Sequence, residues 1–317
     1  MMAEVAYIGG YTPDTGGSGP GITLVELDGL VRLGETVASG PSFLAVHPTL
    51  PILYAVGEAD RGTVATFGRG EGGALSPLAQ RSSEGSAPCH LAVDPTGTRL
   101  AVANYGDGTV SVHGLGTDGL PEQVWIFPYR EGSHAHQAVF GPDGVLYVSD
   151  LGACEVRRYL VGETVVPHPD GPVRLAEGMG PRHMARAGDH WYVTGELDGT
   201  VRVYDDGWRE LRAVPATGTG RHNEPSHLEV SGSGELVYVA NRGPDTISVL
   251  AGPALNPVAE VACGGVWPRH FAVAGDRMYV ANQRSGGVAV LPLDDGVPGS
   301  AAEVFAVGSP SCVLPLP

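Results

Sequence analysis

One six-residue phrase recurs seven times along this 317-residue chain, and the recurrence limits the fold more than any other feature. Successive copies start 47, 46, 47, 44, 43 and 42 residues apart. A period in the forties is typical of folds that repeat one small supersecondary unit many times. The copies are PSFLAV, PCHLAV, HAHQAV, PRHMAR, PSHLEV, PRHFAV and PSCVLP, which begin at Pro41, Pro88, His134, Pro181, Pro225, Pro268 and Pro310.

Each copy opens a longer unit of strand, turn, strand, turn and strand. A second apolar run follows the phrase, such as LYAVGE from Leu53, and a third run such as GTVATF comes after a turn. Turn pairs such as Gly97-Thr98 and Asp143-Gly144 separate the first two runs, as expected for antiparallel hairpins. A more variable fourth segment completes the unit. We therefore predict an all-β fold, a seven-bladed β-propeller with four-stranded antiparallel blades.

The seventh blade is divided between the two ends of the chain. Residues 310–317 supply one strand, while AYIGGYT at 6–12 and GITLVEL at 21–27 match the second and third runs of the repeat. A ring closed by strands from both termini protects edges that would otherwise pair with other chains. We predict a single domain over residues 1–317.

The composition excludes several kinds of chemistry. The 48 Gly and 26 Pro suit many turns and disfavour long helices. The chain has no Lys, so Schiff-base chemistry and a P-loop are excluded, and an anionic ligand must be held by Arg, His, backbone N–H groups or a metal. The net charge of -16 argues against nucleic acid as a partner.

The sequence also predicts where the protein works. No stretch approaches 18 apolar residues, and residues 1–10 lack the basic and apolar regions of a signal peptide. The four Cys are widely spread, which fits a reducing compartment and packed small side chains. We expect a cytoplasmic protein without membrane contact, either a monomer or a weak homodimer.

When the seven copies are aligned, two sets of equivalent positions, which we call columns, predict a binding site. The start of the first strand and the end of the second lie at one face of an antiparallel blade, so side chains there should converge around the central channel. The third residues of the phrases hold five of the chain's 11 His and are Phe43, His90, His136, His183, His227, His270 and Cys312. The residues that end the second runs are mostly long and polar, unlike ordinary turn residues, and are Tyr11, Glu58, Tyr105, Leu151, Glu196, Arg242 and Gln283.

A structural interpretation of the His column competes with the functional one. Duplication copies residues, and a His at a strand start can simply bridge two blades by hydrogen bonding, which applies to His90, His227 and His270. The functional interpretation is favoured because the residue type varies among copies in the second column. Arg182 and Arg269, which immediately precede His183 and His270, favour it as well. The entrance of the central channel would carry the positive charges of Arg182, Arg242 and Arg269. In so acidic a protein, this predicts a binding site for an anionic small molecule.

Other chemistries find less support in the sequence. A metal ion in the channel, held by His and Glu196, stays an alternative, but three Arg would repel it, and we expect no cofactor. No GxSxG elbow is present, and neither Ser133 nor Ser226 has an identifiable triad. Cys89 should point away from His90, because neighbours on a strand face opposite ways, and is expected to be a packed Cys.

Several phrases together resemble one family, the seven-bladed propeller lactonases, which includes propeller-type 6-phosphogluconolactonase and is related to carboxy-cis,cis-muconate cyclase. The similarity runs from Tyr7 to the C-terminus. In the cyclase branch a His, two Arg and a Glu surround the channel, and the resemblance carries these roles to His136, Arg182, Arg242 and Glu196. The phrases are YIGGYT, the segment 133–159, GPRHMA, VTGELDGTVRVY, YVANRGPDTISV and WPRHFAV with YVANQRSGGVAV.

The resemblance implies a lactonase that hydrolyses the ester of a small anionic sugar-acid lactone, with 6-phosphogluconolactone among the candidates. The Arg would orient the substrate and stabilise the oxyanion, and His136 or Glu196 would act as general base. A muconate-type lactonizing cycloisomerase using the same residues is one alternative. A non-catalytic binding scaffold is another, although the four Trp are spread as if for packing. The expected substrate-binding residues are Arg269, His183, His90, His227, His270, Tyr105, Gln283, Glu58 and Tyr11.

Overall fold

The structure is a computed structural model that describes residues 4–316, and almost all of its regular structure is β-strand. Two short 3-10 turns, Pro13–Thr15 and Glu71–Gly73, are the only helical segments in that part of the chain. Up to residue 174 the strands are β1 (Val5–Gly10), β2 (Ile22–Glu26), β3 (Val31–Thr36), β4 (Leu44–Val46), β5 (Ile52–Gly57), β6 (Thr63–Arg69), β7 (Leu75–Ser82), β8 (Pro88–Val93), β9 (Arg99–Asn104), β10 (Val110–Leu115), β11 (Pro121–Phe127), β12 (Ala135–Phe140), β13 (Val145–Asp150), β14 (Glu155–Val161), β15 (Val165–Pro167) and β16 (Val173–Arg174). From there on they are β17 (Pro181–Ala187), β18 (His190–Gly195), β19 (Thr200–Asp205), β20 (Glu210–Pro215), β21 (Glu224–Val230), β22 (Leu236–Arg242), β23 (Thr246–Ala251), β24 (Asn256–Ala262), β25 (Pro268–Ala274), β26 (Arg277–Asn282), β27 (Gly287–Asp294), β28 (Val297–Pro298), β29 (Glu303–Ala306) and β30 (Pro310–Pro315).

The strands form seven antiparallel sheets, one for each repeat unit, which confirms the predicted seven-bladed β-propeller. Six sheets are consecutive in the chain and comprise β4 to β7, β8 to β11, β12 to β16, β17 to β20, β21 to β24 and β25 to β29. The seventh has the order β3-β2-β1-β30, so both ends of the chain contribute to it, as predicted. There the N–H of Leu316 donates to the carbonyl of Val5 at 2.8 Å.

The chain divides into two compact units. One comprises the chain up to Arg174 together with the segment from Leu314 onward, and the other comprises Leu175–Val313. Residues 1–3 and 317 lie outside the described part, and the single domain over 1–317 stays a prediction. No helix within residues 4–316 has the length and hydropathy that crossing a membrane requires.

Within each unit, neighbouring sheets pack face to face, which explains why the second runs of the repeat are apolar on both sides. All six residues of β5 are buried, and Tyr54 of that strand packs in one cluster with Leu91 of β8 and Val102 of β9. The outer strands are much more exposed, as β20 illustrates with five exposed residues of six.

A β-bulge interrupts the first strand of five sheets within the recurring phrase. The pairing register shifts between Pro88 and His90, and equivalent shifts occur at the start of β12, β17, β21 and β25. A bulge breaks the alternation of faces, so the argument that Cys89 points away from His90 does not hold at this place. Cys89 is nevertheless buried, as predicted, and its Sγ donates to the carbonyl of His136 at 3.2 Å.

Candidate active site

The second unit brings Arg182, Glu196 and Arg242 together at the ends of three strands. Arg182 lies in the bulge of β17, Glu196 follows β18, and Arg242 ends β22. Nε of Arg182 lies 2.7 Å from Oε2 of Glu196, and Nη2 of Arg242 lies 2.5 Å from the same oxygen. Both guanidiniums are almost completely buried, whereas the Glu196 side chain is 16% exposed. One carboxylate oxygen thus bridges two buried cations, and we call these three residues the guanidinium cluster.

Backbone carbonyls orient both guanidiniums. Nη1 of Arg182 donates to the carbonyl of Ser226, and Nε of Arg242 donates to the carbonyl of Glu224 at 2.9 Å. The Glu224 carboxylate is also 3.9 Å from Nη2 of Arg242. Arg side chains held in this way lose little further freedom when a ligand binds, so the cluster is pre-organised.

The cluster keeps Glu196 ionised at neutral pH. Burial alone would raise the pKa of Glu196, but the charges of Arg182, Arg242 and, more weakly, Arg269 outweigh it and lower that pKa. Burial lowers the pKa of Arg242, and Glu196 opposes the change. Glu196 is therefore a strong hydrogen-bond acceptor and a weak base.

An aromatic ring extends the cluster. The guanidinium carbon of Arg242 lies 5.3 Å from the ring centre of Trp267, and that of Arg284 lies 3.3 Å from the same centre. Trp267 has a left-handed backbone with φ of 68°, and its N–H donates to Oδ1 of Asp245 at 2.8 Å. The sequence predicts a packing role for Trp267, and the structure adds contacts with two guanidiniums. The sequence signal for these contacts is the position of Trp267 immediately before the PRHFAV phrase.

Gln283 lies beside the backbone of the same tryptophan. Its N–H donates to the carbonyl of Trp267 at 3.1 Å. The side-chain Oε1 is buried and has no hydrogen-bond partner among the described residues. A buried acceptor of this kind suits a donor supplied by a ligand or by water.

Three His of the second unit form a buried chain. Nδ1 of His183 lies 2.8 Å from Nδ1 of His227, whose ring stacks on that of His270 with centres 4.0 Å apart. Nδ1 of His270 accepts from the N–H of Val313 at 3.4 Å. Burial lowers the pKa of His227 to about 3 and that of His270 well below its usual value, and Arg182 contributes to both shifts. His227 and His270 are consequently neutral at pH 7, in keeping with the bridging interpretation.

A carboxyl group ends this chain. Nε2 of His227 lies 3.2 Å from Oε1 of Glu229. Burial raises the pKa of Glu229 to about 8, so the side chain is mostly protonated at neutral pH. A neutral Glu beside a neutral His forms an ordinary hydrogen bond rather than an ion pair.

In the first unit, His90 also occupies a bridging position. Its ring lies 4.0 Å from that of Phe43, and Nδ1 accepts from the N–H of Ala138 in the next sheet at 3.4 Å. Both contacts join neighbouring sheets. The packing thus explains why Phe43 and His90 occupy the third position in the first two copies of the phrase.

His136 lies in a different environment, against Tyr105. The two rings meet edge to face with centres 5.8 Å apart, and His136 is buried. The other face of Tyr105 is occupied, because His134 stacks on the ring at 4.5 Å and its Nδ1 lies 2.8 Å from the Tyr105 carbonyl. Tyr105 thus restricts the imidazole of His136.

Tyr11 and Glu58 contact each other directly. The Tyr11 hydroxyl lies 3.1 and 3.0 Å from the two oxygens of the Glu58 carboxylate, and Ser42 donates to one of them. The second column of the repeat therefore pairs in both units, although six of its seven members are the first residue after their strand rather than the last. The catalytic and binding roles of all thirteen candidate residues stay predictions.

Metal binding receives no additional support from the geometry. Within residues 4–316, no three His, Cys, Asp or Glu side chains are grouped as ligands of one ion. The expectation that the protein needs no cofactor stays a prediction.

The fold is a seven-bladed propeller in which two buried guanidiniums and a carboxylate meet at strand ends. Residues 5–315 match the family model described as "Lactonase, 7-bladed beta-propeller". The chain belongs to this family, which confirms the predicted resemblance and the predicted enzyme class, lactonase.

Relatives with assigned names support the same class. The chain is 29% identical over 326 residues to a 6-phosphogluconolactonase of Bacillus subtilis, covering 93% of this chain and 92% of that protein. It is 25% identical over 310 residues to a 6-phosphogluconolactonase of Formosa agariphila, covering 87% and 86%. Among solved structures, the periplasmic gluconolactonase PpgL of Pseudomonas aeruginosa has a TM-score of 0.91 at 26% identity, with 99% of each chain covered.

Proposed function

We propose that this protein hydrolyses the ring ester of a small anionic sugar-acid lactone at the guanidinium cluster. The observation that supports this most is the bridging of two buried guanidiniums, Arg182 and Arg242, by the single carboxylate of Glu196. Guanidinium N–H groups in a partly desolvated site stabilise the oxyanion that forms when water adds to an ester carbonyl. The names of the relatives agree with lactone hydrolysis.

In this proposal the two predicted bases, His136 and Glu196, have different roles. The lowered pKa of Glu196 makes it a poor proton acceptor, so its role is to hold Arg182 and Arg242 in place. His136 is then the general base, a role that His side chains fill more often than any other residue type. It takes a proton from water as the water oxygen bonds to the carbonyl carbon. When the ring C–O bond breaks, the protonated base returns that proton to the leaving alkoxide.

The charge of the site determines the class of substrate. Arg182, Arg242 and Arg269 are the cations near Glu196, and the chain has no Lys to bind a phosphate as a point charge. Forked Arg donors suit a carboxylate or phosphate oxygen pair. A phosphorylated and an unphosphorylated sugar lactone are therefore the two substrates to compare.

Hydrolysis of 6-phosphogluconolactone and of glucono-δ-lactone, corrected for the spontaneous reaction, tests the proposal. We expect wild-type turnover of at least one lactone, and about a hundred-fold lower kcat/KM for Arg182→Gln. Arg186→Gln is the matched control, because Arg186 lies on the same strand but pairs with Asp206 at the surface. Equal rates for wild-type protein and Arg182→Gln would contradict the proposal. Conversion of a muconate to a lactone in place of hydrolysis would support the cycloisomerase.

We also propose that the enzyme acts in the cytoplasm without a cofactor, as a monomer or weak homodimer whose only partner is its lactone substrate. The net charge of -16 disfavours nucleic acid and opposes self-association. Light scattering across a concentration series measures the oligomeric state, and activity after exhaustive chelation tests the need for a metal.

A further inference from the structure

A second cavity lies in the first unit, on the outer side of two neighbouring sheets. It has a volume of about 280 Å³ and lies between the end of β11 and the strands β14 and β15. None of its lining residues belongs to the predicted lactonase site. Its size is at the lower end of small-molecule pockets, which limits a ligand to fewer atoms than a typical drug. The walls are formed by Phe127, Tyr129, Tyr159 and three prolines, with Arg157, Arg158 and His168 as the polar members.

The aromatic walls are held in place by contacts with one another, with Arg157 and with Glu155 behind the wall. The rings of Phe127 and Tyr159 lie 4.6 Å apart, and Tyr159 is buried. The Tyr129 ring covers the guanidinium of Arg157 at 4.6 Å, and its hydroxyl donates to Oε2 of Glu155 at 2.8 Å. Flat rings and prolines in such an arrangement suit a planar, apolar ligand body.

The two Arg of the lining are hydrogen-bond donors only. Arg157 is buried, with Nε 3.3 Å from Asp150 and Nη2 donating to the carbonyl of Gly108. Its buried Nη1 makes no hydrogen bond of good geometry within residues 4–316, and the guanidinium also interacts with the Tyr159 hydroxyl in the cavity wall. Arg158 donates from Nε to the carbonyl of Gly171, and its two terminal nitrogens make no hydrogen bond within residues 4–316. The buried Nη1 of Arg157 and the accessible terminal nitrogens of Arg158 together suit a ligand that supplies acceptor oxygens.

The nearby acids do not neutralise this set. Asp150 is paired with Arg157, and Glu155 with Arg130 and the Tyr129 hydroxyl. Asp170 is largely exposed, 3.7 Å from His168, whose Nδ1 accepts from the Asp170 N–H. None of these carboxylates lines the cavity, so Arg158 leaves a net positive charge there.

We propose that this cavity is a binding site for a small aromatic carboxylate. The carboxylate accepts from the terminal nitrogens of Arg158 in forked geometry and reaches toward Nη1 of Arg157. The aromatic ring packs among Phe127, Tyr129 and Tyr159. A neutral ring lacks the acceptor for Arg158, and an inorganic anion lacks the surface that fills the aromatic walls.

Titration with benzoate, followed by calorimetry and by amide chemical shifts, tests the proposal on the full-length protein. For a ligand of this size we expect a Kd of about 1 mM, with shifts confined to residues around β11, β14 and β15. Arg158→Gln should raise the Kd for benzoate about ten-fold or more. Benzyl alcohol, which lacks the carboxylate, should bind wild-type protein about as weakly as benzoate binds the Arg158→Gln variant. The matched control is Arg212→Gln, an exposed Arg on an outer strand of the other unit.

Three results would overturn the proposal: no benzoate binding at tens of millimolar, unchanged affinity in a folded Arg158→Gln protein, or shifts mapping elsewhere. Arg182→Gln separates this site from the lactonase site. Benzoate binding retained by that variant supports a separate site, whereas binding lost with it would place benzoate at the guanidinium cluster. The outcome is independent of whether the protein hydrolyses a lactone.

Discussion

At the scale of single residues, a shared oxygen distinguishes Glu196 from the other acids at the strand ends. Oε2 of Glu196 contacts two guanidiniums, whereas Glu58 accepts hydrogen bonds from Tyr11 and Ser42. Two cations on one carboxylate lower its pKa despite burial. The same residue type, at the same position of the repeat, therefore has different chemistry in two blades.

Replacing each predicted base separately should divide their roles. We expect His136→Gln to lower kcat about a hundred-fold or more through loss of the base. Glu196→Gln should lower kcat/KM by a comparable factor of about a hundred, because Arg182 and Arg242 would lose the anion that positions them. Initial rates at neutral pH over a range of lactone concentrations provide the measurement, because they separate kcat from KM.

Exposed Glu235→Gln serves as the control for both changes. Full activity in both His136→Gln and Glu196→Gln would rule out these residues as the catalytic groups. Loss of kcat in Glu196→Gln alone would make Glu196 the base instead.

Glu229 should make stability fall as pH rises. Its folded pKa of about 8 lies above the ordinary value of 4.5, so between these values the native state binds a proton that the unfolded state lacks. Wild-type protein should therefore lose stability relative to Glu229→Gln across this window. Urea midpoints at about pH 5 and about pH 9 measure the difference. A parallel change in the two proteins would show that Glu229 does not retain its proton.

At the scale of elements, the bulged first strand explains how a repeat can carry both packing and chemistry. In β21 the Ser226 hydroxyl donates to the carbonyl of Pro268 in the next sheet at 2.6 Å, and the Ser226 carbonyl accepts from Arg182 in the preceding sheet. The second residue of the phrase thus links blades, while the third stacks in the His chain. In β17 the linking residue is an Arg that also reaches Glu196.

Removing one such link should cost measurable stability. Ser226→Ala leaves the buried Pro268 carbonyl without its donor, and we expect unfolding free energy to fall by about 1–3 kcal/mol. Exposed Ser233→Ala should change it little. Denaturant unfolding of the two variants decides the matter. Equal midpoints would mean that the Ser226 hydroxyl contributes nothing to the contact between sheets.

At the scale of the whole molecule, the sheet shared by the chain ends leaves β1 paired on both sides, by β2 and by β30. An unpaired strand edge is a template for another chain. Deleting residues 310–317 should therefore expose β1 and give protein that self-associates, as detected by light scattering. Leu316→Pro, which removes only the N–H donated to Val5, should have a smaller effect. A monomeric, cooperatively folding deletion protein would show that closure by the C-terminal strand is dispensable.

The sequence by itself determined the number of blades, their strand order, the closure by both termini and the positions from which a site could be built. These features follow from a repeat period and from turn residues, which are local properties of the chain. Only the tertiary structure decided which members of the two columns meet. Arg182, Glu196 and Arg242 come from different strands, and their bridge depends on distances set by a bulge and by the packing of neighbouring sheets. Packing of sheets in the second unit also buries His227 and His270 in their neutral form and places Trp267 beside Arg242. Packing of sheets in the first unit creates the cavity around Arg158. Burial and charge separation are properties of assembled sheets, which no single repeat specifies.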